Sequence, residues 1–142
     1  RPSVRTLSNG MDVGAPSNFA RMLDLFSSTW NTMKTVISGY SYNDEQTADA
    51  LKTVYQSTGY LLDPHGAVGY LALKEYQQQH AGTYGVVLET AHPAKFLEDV
   101  EVILGEPVPV PERLAALRDS IKVAVPMRTE FGEFKNWLLS LG

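Results

Sequence analysis

The chain has 142 residues, 44% of them hydrophobic and 20% charged, which is the composition of an ordinary globular domain and not of a disordered segment. A net charge of −4 and an isoelectric point near 5.3 argue against nucleic acid as the default partner. No apolar run approaches the roughly 20 residues that span a bilayer, and the absence of cysteine excludes disulfides and thiolate metal sites.

The opening Arg1-Pro2-Ser3 has neither an initiator methionine nor a signal-peptide apolar segment, and reads as the interior of a longer chain. Residues 1 to 15 lack a sustained period and hold turn residues at Asn9-Gly10 and Gly14, so they predict extended chain and loop. From Pro16 onward Phe19, Met22, Leu23, Phe26, Trp30 and Met33 recur at helical spacing and predict a core-facing stripe. Gly39 ends it. Asp44 predicts the cap of a second helix bearing Ala48, Leu51, Val54 and Tyr55 on one face, and Gly59 predicts its left-handed stop.

Tyr60-Leu61-Leu62 is a short apolar run that gives way to Asp63-Pro64-His65-Gly66-Ala67. Asp63 is a good N-cap, and Pro64 suits the first helical position, where its missing N–H costs nothing. Val68, Leu71, Ala72 and Tyr76 then share a face, while Gly66, Ala67 and Gly69 permit close approach to another backbone or a ligand. The same arrangement recurs further on. The run Val86-Val87-Leu88 stops at Glu89-Thr90-Ala91-His92, and Pro93 opens a helix through Phe96, Val100, Ile103 and Leu104, ended by Gly105. A continuous apolar run suits a strand buried on both faces, and two turns of this kind at neighbouring strand ends would converge on one site. Pro107-Val-Pro-Val-Pro111 predicts a stiff extended tie. A helical turn at Leu114 and Leu117, a strand over residues 121–125 and an amphipathic helix through Phe131, Phe134, Leu138 and Leu141 complete the chain. The fold class expected is α/β: mostly helical, with two or three short core strands.

The residues that could carry chemistry are few. His65 and His92 sit in the paired turns and His80 lies elsewhere, with no pair at the one-turn spacing of a helical metal site, so no metal is expected. There is no glycine-rich phosphate loop and no nucleophile elbow. Lys95 falls in the first turn of its helix, a poor place for a cation, and solvent exposure or pairing with Glu98 or Asp99 accounts for it. Thr90, taken alone, reads as a helix cap.

Three stretches point further. Thr6-Leu-Ser-Asn-Gly-Met-Asp-Val13 with Pro16-Ser-Asn-Phe19 resembles the threonine synthase motif SNAMDV followed by PSNF, with Gly10 where the family pattern has alanine. Asp63-Pro-His-Gly-Ala-Val68 resembles that family's EPH or DPH turn, and Thr90-Ala-His-Pro-Ala-Lys-Phe96 resembles its TAHPAKF. The match covers residues 6 to about 106, and the tail beyond is compatible but carries no motif. The family comprises pyridoxal-phosphate enzymes related to the tryptophan synthase β chain, which convert O-phospho-L-homoserine and water into L-threonine and phosphate; a cytoplasmic location is expected, since the absence of cysteine fits a reducing compartment. The resemblance implies that residues 1–142 are the C-terminal part of the cofactor-binding domain. It also implies that the lysine holding the cofactor covalently and the glycine-rich phosphate loop lie earlier, so the piece alone is expected to be inactive; with upstream strands absent, the apolar run 86–88 predicts self-association or a mobile arm at residues 1–15. Within it, the family pattern puts Thr90 at the pyridine nitrogen as a neutral hydroxyl, with Asp63, His65 and His92 along the same wall. Capping explains Asp63 and His65 equally well. A non-catalytic helical interaction module and another pyridoxal-phosphate lyase or dehydratase are the alternatives; the first leaves the paired Pro-His turns unexplained, and the TAHPAKF turn argues against the second.

Six lysines are present, none in a motif that matches the family's cofactor lysine. Incubation of the chain with pyridoxal phosphate, borohydride reduction and peptide mapping should therefore yield no stoichiometric adduct, at Lys95 or elsewhere.

Overall fold

The computed structural model describes residues 2–9 and 12–142, so the expected turn at Gly10 and the motif position Met11 lie outside the described residues. In order, the helices are α1 (Phe19–Leu25), α2 (Trp30–Met33), α3 (Asp44–Thr58), α4 (Pro64–Gln79), a 3-10 turn (Pro93–Phe96) running into α5 (Leu97–Leu104), α6 (Glu112–Ala115) and α7 (Phe131–Leu139). They divide between two compact units, one ending at Pro109 and the other running from Val110 to Gly142.

The first unit is built on α3, α4 and α5. Asn43, one residue before the expected cap, takes the β conformation, and its side chain accepts from the Gln46 N–H while the Gln46 side chain accepts from the Asn43 N–H. This reciprocal arrangement satisfies two donors at the helix start, and it leaves Asp44 in the first turn, where a negative charge suits the helix dipole. Gly59 closes α3 at φ 73°, as its position predicts. Ala50, Leu51 and Val54 of α3 meet Leu62, Ala67 and Val100 in the core. Val108, in the proline tie, is buried with them, and its N–H donates to Glu101 Oε1 at 3.1 Å. The tie is thus pinned near its start, and residues 107–111 carry no regular secondary structure.

Three expectations are corrected. The helix from Pro16 breaks after Leu25, where Ser27 and Ser28 take φ values of 50° and 53°, and Thr29 restarts the chain into α2. The stripe is thereby split, and of it only Met33 is buried, with Trp30 68% exposed. Residues 121–125 form no strand, and Ile121 and Val123 lie open to solvent. Nor does residue 86–88 pair as a strand: among the described residues there are none, because an extended segment needs a neighbour to take up its N–H and C=O groups.

The segment nevertheless keeps the period of two that extended chain imposes. Gly85, Val87 and Glu89 face α4 at Leu73, Gly69 and Gly66 respectively, running antiparallel to the helix. Tyr84, Val86 and Leu88 point away and are exposed. One face is covered, where the unbroken apolar run suggested two.

Replacing Asn43 by alanine should cost about 1 kcal/mol in urea unfolding, whereas Asp44→Ala should cost only a few tenths of that.

Candidate functional site

Each of the two turns is formed by an extended residue whose side chain caps the helix that follows. Asp63 (φ −79°, ψ 164°) accepts the His65 N–H through Oδ1 at 2.8 Å, with Pro64 at the first helical position. His92 (φ −89°, ψ 138°) accepts the Ala94 N–H through Nδ1 at 3.1 Å, with Pro93 next. Accepting there requires a lone pair on Nδ1, so His92 carries its proton on Nε2. Since His92 is the cap, Thr90 is not, and its side chain is left exposed beside the helix start.

The turns meet, but unequally. A cleft of about 670 Å³ is lined by Thr90, His92 and the residues between and beside them, from Glu89 to Pro93. Tyr55, Gly59, Tyr60 and Leu61 form a second wall and Pro107, Val108 and Pro109 a third. Asp63 and His65 are not among the lining residues. Asp63 is wholly buried behind the turn, and its Oδ1 also takes the His65 ring Nδ1 at 2.9 Å. The His65 ring lies 5.3 Å from that of Phe96. Lys95 is exposed and, in place of a partner at Glu98 or Asp99, sets Nζ 5.7 Å from the Phe96 ring centroid. Across the cleft, a side-chain hydrogen bond with Glu106 pushes the Tyr55 phenol above its ordinary value.

The sequence reading missed Glu89. Its Oε1 accepts the Asp63 N–H at 3.1 Å and ties the second turn to the first. Burial, followed by a side-chain hydrogen bond with Asp63, pushes Glu89 up to about 7. The signal that could have found it is the alternation through Gly85 and Val87, which puts residue 89 on the helix-facing side opposite Gly66. The small residues of α4 thus serve the close approach they suggested. Among the described residues, no group of three or more histidine and acidic side chains is placed to hold a metal ion.

The model of the C-terminal region of threonine synthase matches residues 66–135. Curated threonine synthases from Serratia marcescens and Haemophilus influenzae are 37% and 41% identical over 98% of this chain. The crystal structure of threonine synthase from Escherichia coli superposes over 100% of the chain, with a TM-score of 0.76 and 34% identity. In sequence and in fold, this chain is similar to the C-terminal region of threonine synthases. It spans about a third of the length of the curated relatives it matches, 32% in each of these two. A structure of the Brucella melitensis threonine synthase, described as bound to pyridoxal phosphate, superposes over 82% of the chain with a TM-score of 0.65 and 28% identity. In threonine synthase terms, then, the cleft lies in the part of the chain that carries TAHPAKF, and the fold around it is shared with solved members of the family.

A Cβ on Gly66 would overlap the Glu89 carboxyl, whereas one on Gly69 would meet only a Val87 methyl at 3.3 Å. Gly66→Ala should destabilise by about 1–3 kcal/mol. Gly69→Ala should be near neutral, because the gain of about 1 kcal/mol from replacing a mid-helix glycine offsets the tighter contact; parallel urea titrations of both variants check this.

Proposed function

We propose that the protein carrying this chain is a pyridoxal-phosphate-dependent threonine synthase: a carbon–oxygen lyase that acts on the phosphate ester O-phospho-L-homoserine and, with water, yields L-threonine and phosphate. Residues 1–142 would be the C-terminal part of its cofactor-binding domain, in a fold of the tryptophan synthase β type. The observation that carries the reading is the coincidence of the TAHPAKF turn with the cleft: Thr90 to Pro93, the first four residues of that motif, line a concavity of about 670 Å³ in the first unit.

The residues here fit the cofactor. Thr90 offers a neutral hydroxyl at the cleft wall that no helix cap consumes, suited to a hydrogen bond with a pyridine nitrogen. Leu61, Ala91, Pro93 and Val108 supply apolar wall that excludes water from a flat ring. His92, fixed as the cap, presents Nε2–H as a second donor. Asp63 and His65 act from behind, holding the turn without lining the cleft. When bound, pyridoxal phosphate supplies the electron sink for the reaction, and the protein orients it and tunes it.

The same reading carries a cytoplasmic location. It also has the extended run 84–88 pairing as a strand with parts of the protein that precede it. The backbone groups of the run, which meet no strand partner among the described residues, support that pairing, and the exposed row Tyr84, Val86 and Leu88 supports self-association of the chain when those parts are missing.

Phosphate release from O-phospho-L-homoserine by the complete protein, with threonine as co-product, is the expected result. Deamination of another amino acid without phosphate release would favour the dehydratase alternative, and inertness towards both would favour an interaction module. Within that protein, Thr90→Val keeps the β-branched shape and removes one hydrogen bond worth about 1 kcal/mol net, so cofactor affinity should fall roughly fivefold. Thr90→Ser, which keeps the donor, should change it much less. Cofactor titration followed by absorbance reads both.

A further inference from the structure

We propose that Glu89 is a positioning residue: as a neutral acid it donates a hydrogen bond to the buried Asp63 carboxylate, and so latches the Thr90–His92 turn to the N-terminus of α4. That the latched turn serves a cofactor rests on the function proposed above; the latch itself does not.

The geometry leaves one arrangement of protons. Asp63 is wholly buried, its Oδ1 is taken by the N–H and Nδ1 of His65, and its own N–H is given to Glu89 Oε1. What remains is Asp63 Oδ2 and Glu89 Oε2, both buried and, among the described residues, both without a donor. Two ionised carboxylates confined together would repel one another, with Oδ2 and Oε2 both out of reach of solvent. A single proton between them satisfies both oxygens. It belongs on Glu89, because Asp63 already accepts two hydrogen bonds from His65 that favour its charged form, while Glu89 accepts one.

The Glu89 carboxyl cannot relax away from this contact on the helix side, since it fills the space left by the missing side chain of Gly66. The titratable groups around it are Asp63 and His65 at the head of α4, Tyr55 and Tyr60 across the cleft, and His92 on its own turn. Neither ion pair formed among the described residues involves Glu89. The direction of titration agrees: burial first, and Asp63 second, push Glu89 up to about 7.

The sign for stability follows. A carboxyl whose folded value lies above its unfolded value contributes fully below the unfolded value, roughly 4.3. That contribution is lost as pH rises through the folded value. The latch is therefore closed in mild acid and released above about 7. Because Glu89 is bonded in sequence to Thr90, release lets the cleft wall move, and a merely structural packing role would show no such pH profile.

Hydrogen exchange followed by mass spectrometry on the complete protein tests this at pH 5 and pH 8, after correction for intrinsic exchange. In the parent, peptides covering residues 61–66 and 88–93 should lose protection by about tenfold or more at pH 8, each unit of pKa shift being worth a factor of ten. Glu89→Gln accepts from the Asp63 N–H and donates to Oδ2 without titrating, so it should keep the parent's pH 5 protection at both values. Glu89→Ala should lose it at both. A parent with no step in these peptides, a step of equal size in peptides of α7, or a glutamine variant that keeps the step overturns the latch. A step that behaves as expected, beside a Thr90→Val variant that binds pyridoxal phosphate as tightly as the parent, overturns only the role assigned to the turn.

Discussion

A carboxylate with no exposed surface constrains everything around it. Asp63 sits at the head of α4, and each of its groups must find a partner inside the protein or cost the full price of desolvation. Its N–H and Oδ1 meet that requirement in three directions at once: along its own helix to the His65 N–H, sideways to the His65 ring, and across to Glu89 of a segment 26 residues later. The first fixes where α4 begins. The last fixes where the Thr90 turn lies.

From that tie the rest of the first unit follows. α4 begins with Pro64, Gly66 and Ala67 buried at its head, so the extended segment 85–89 can lie close against it. The segment delivers the chain to His92, whose ring caps the 3-10 turn, and that turn and α5 bring Phe96 and Val100 into the core beside Leu51 of α3. The cleft is what is left between the capped turn, the end of α3 and the proline tie. Its polar groups are presented by backbone geometry that caps and prolines have already fixed, which is how a short turn can hold a hydroxyl in place without a large supporting shell.

The exposed row Tyr84, Val86 and Leu88 is the counterpart of this arrangement. Only one side of the segment is used by the contacts that hold it, and the other displays apolar side chains with no cover. In a chain that spans about a third of the length of its relatives, this is a side on which the first unit leaves apolar surface uncovered.

What the sequence by itself determined is local. Asp63, Pro64 and Gly59, and likewise His92-Pro93 and Gly105, act through hydrogen bonds and dihedral limits within a few residues, so helix starts and stops could be read directly from them. The misplacement of the α3 cap by one residue arose because Asn43 and Asp44 are both good caps, and only the dihedral angles choose between them. The motif stretches likewise marked Thr90 and His92, which line the cleft. Tertiary structure alone decided the rest: that the stripe from Phe19 to Met33 is broken and mostly uncovered, that residues 86–88 bury one face and find no strand partner, and that Asp63 stands behind the site and not in it. Burial is a property of what packs against a residue, and spacing along the chain carries only which residues share a face. Glu89 shows the difference most clearly. Its alternation placed it towards α4, but its role depends on a buried carboxylate that arrives from elsewhere in the fold.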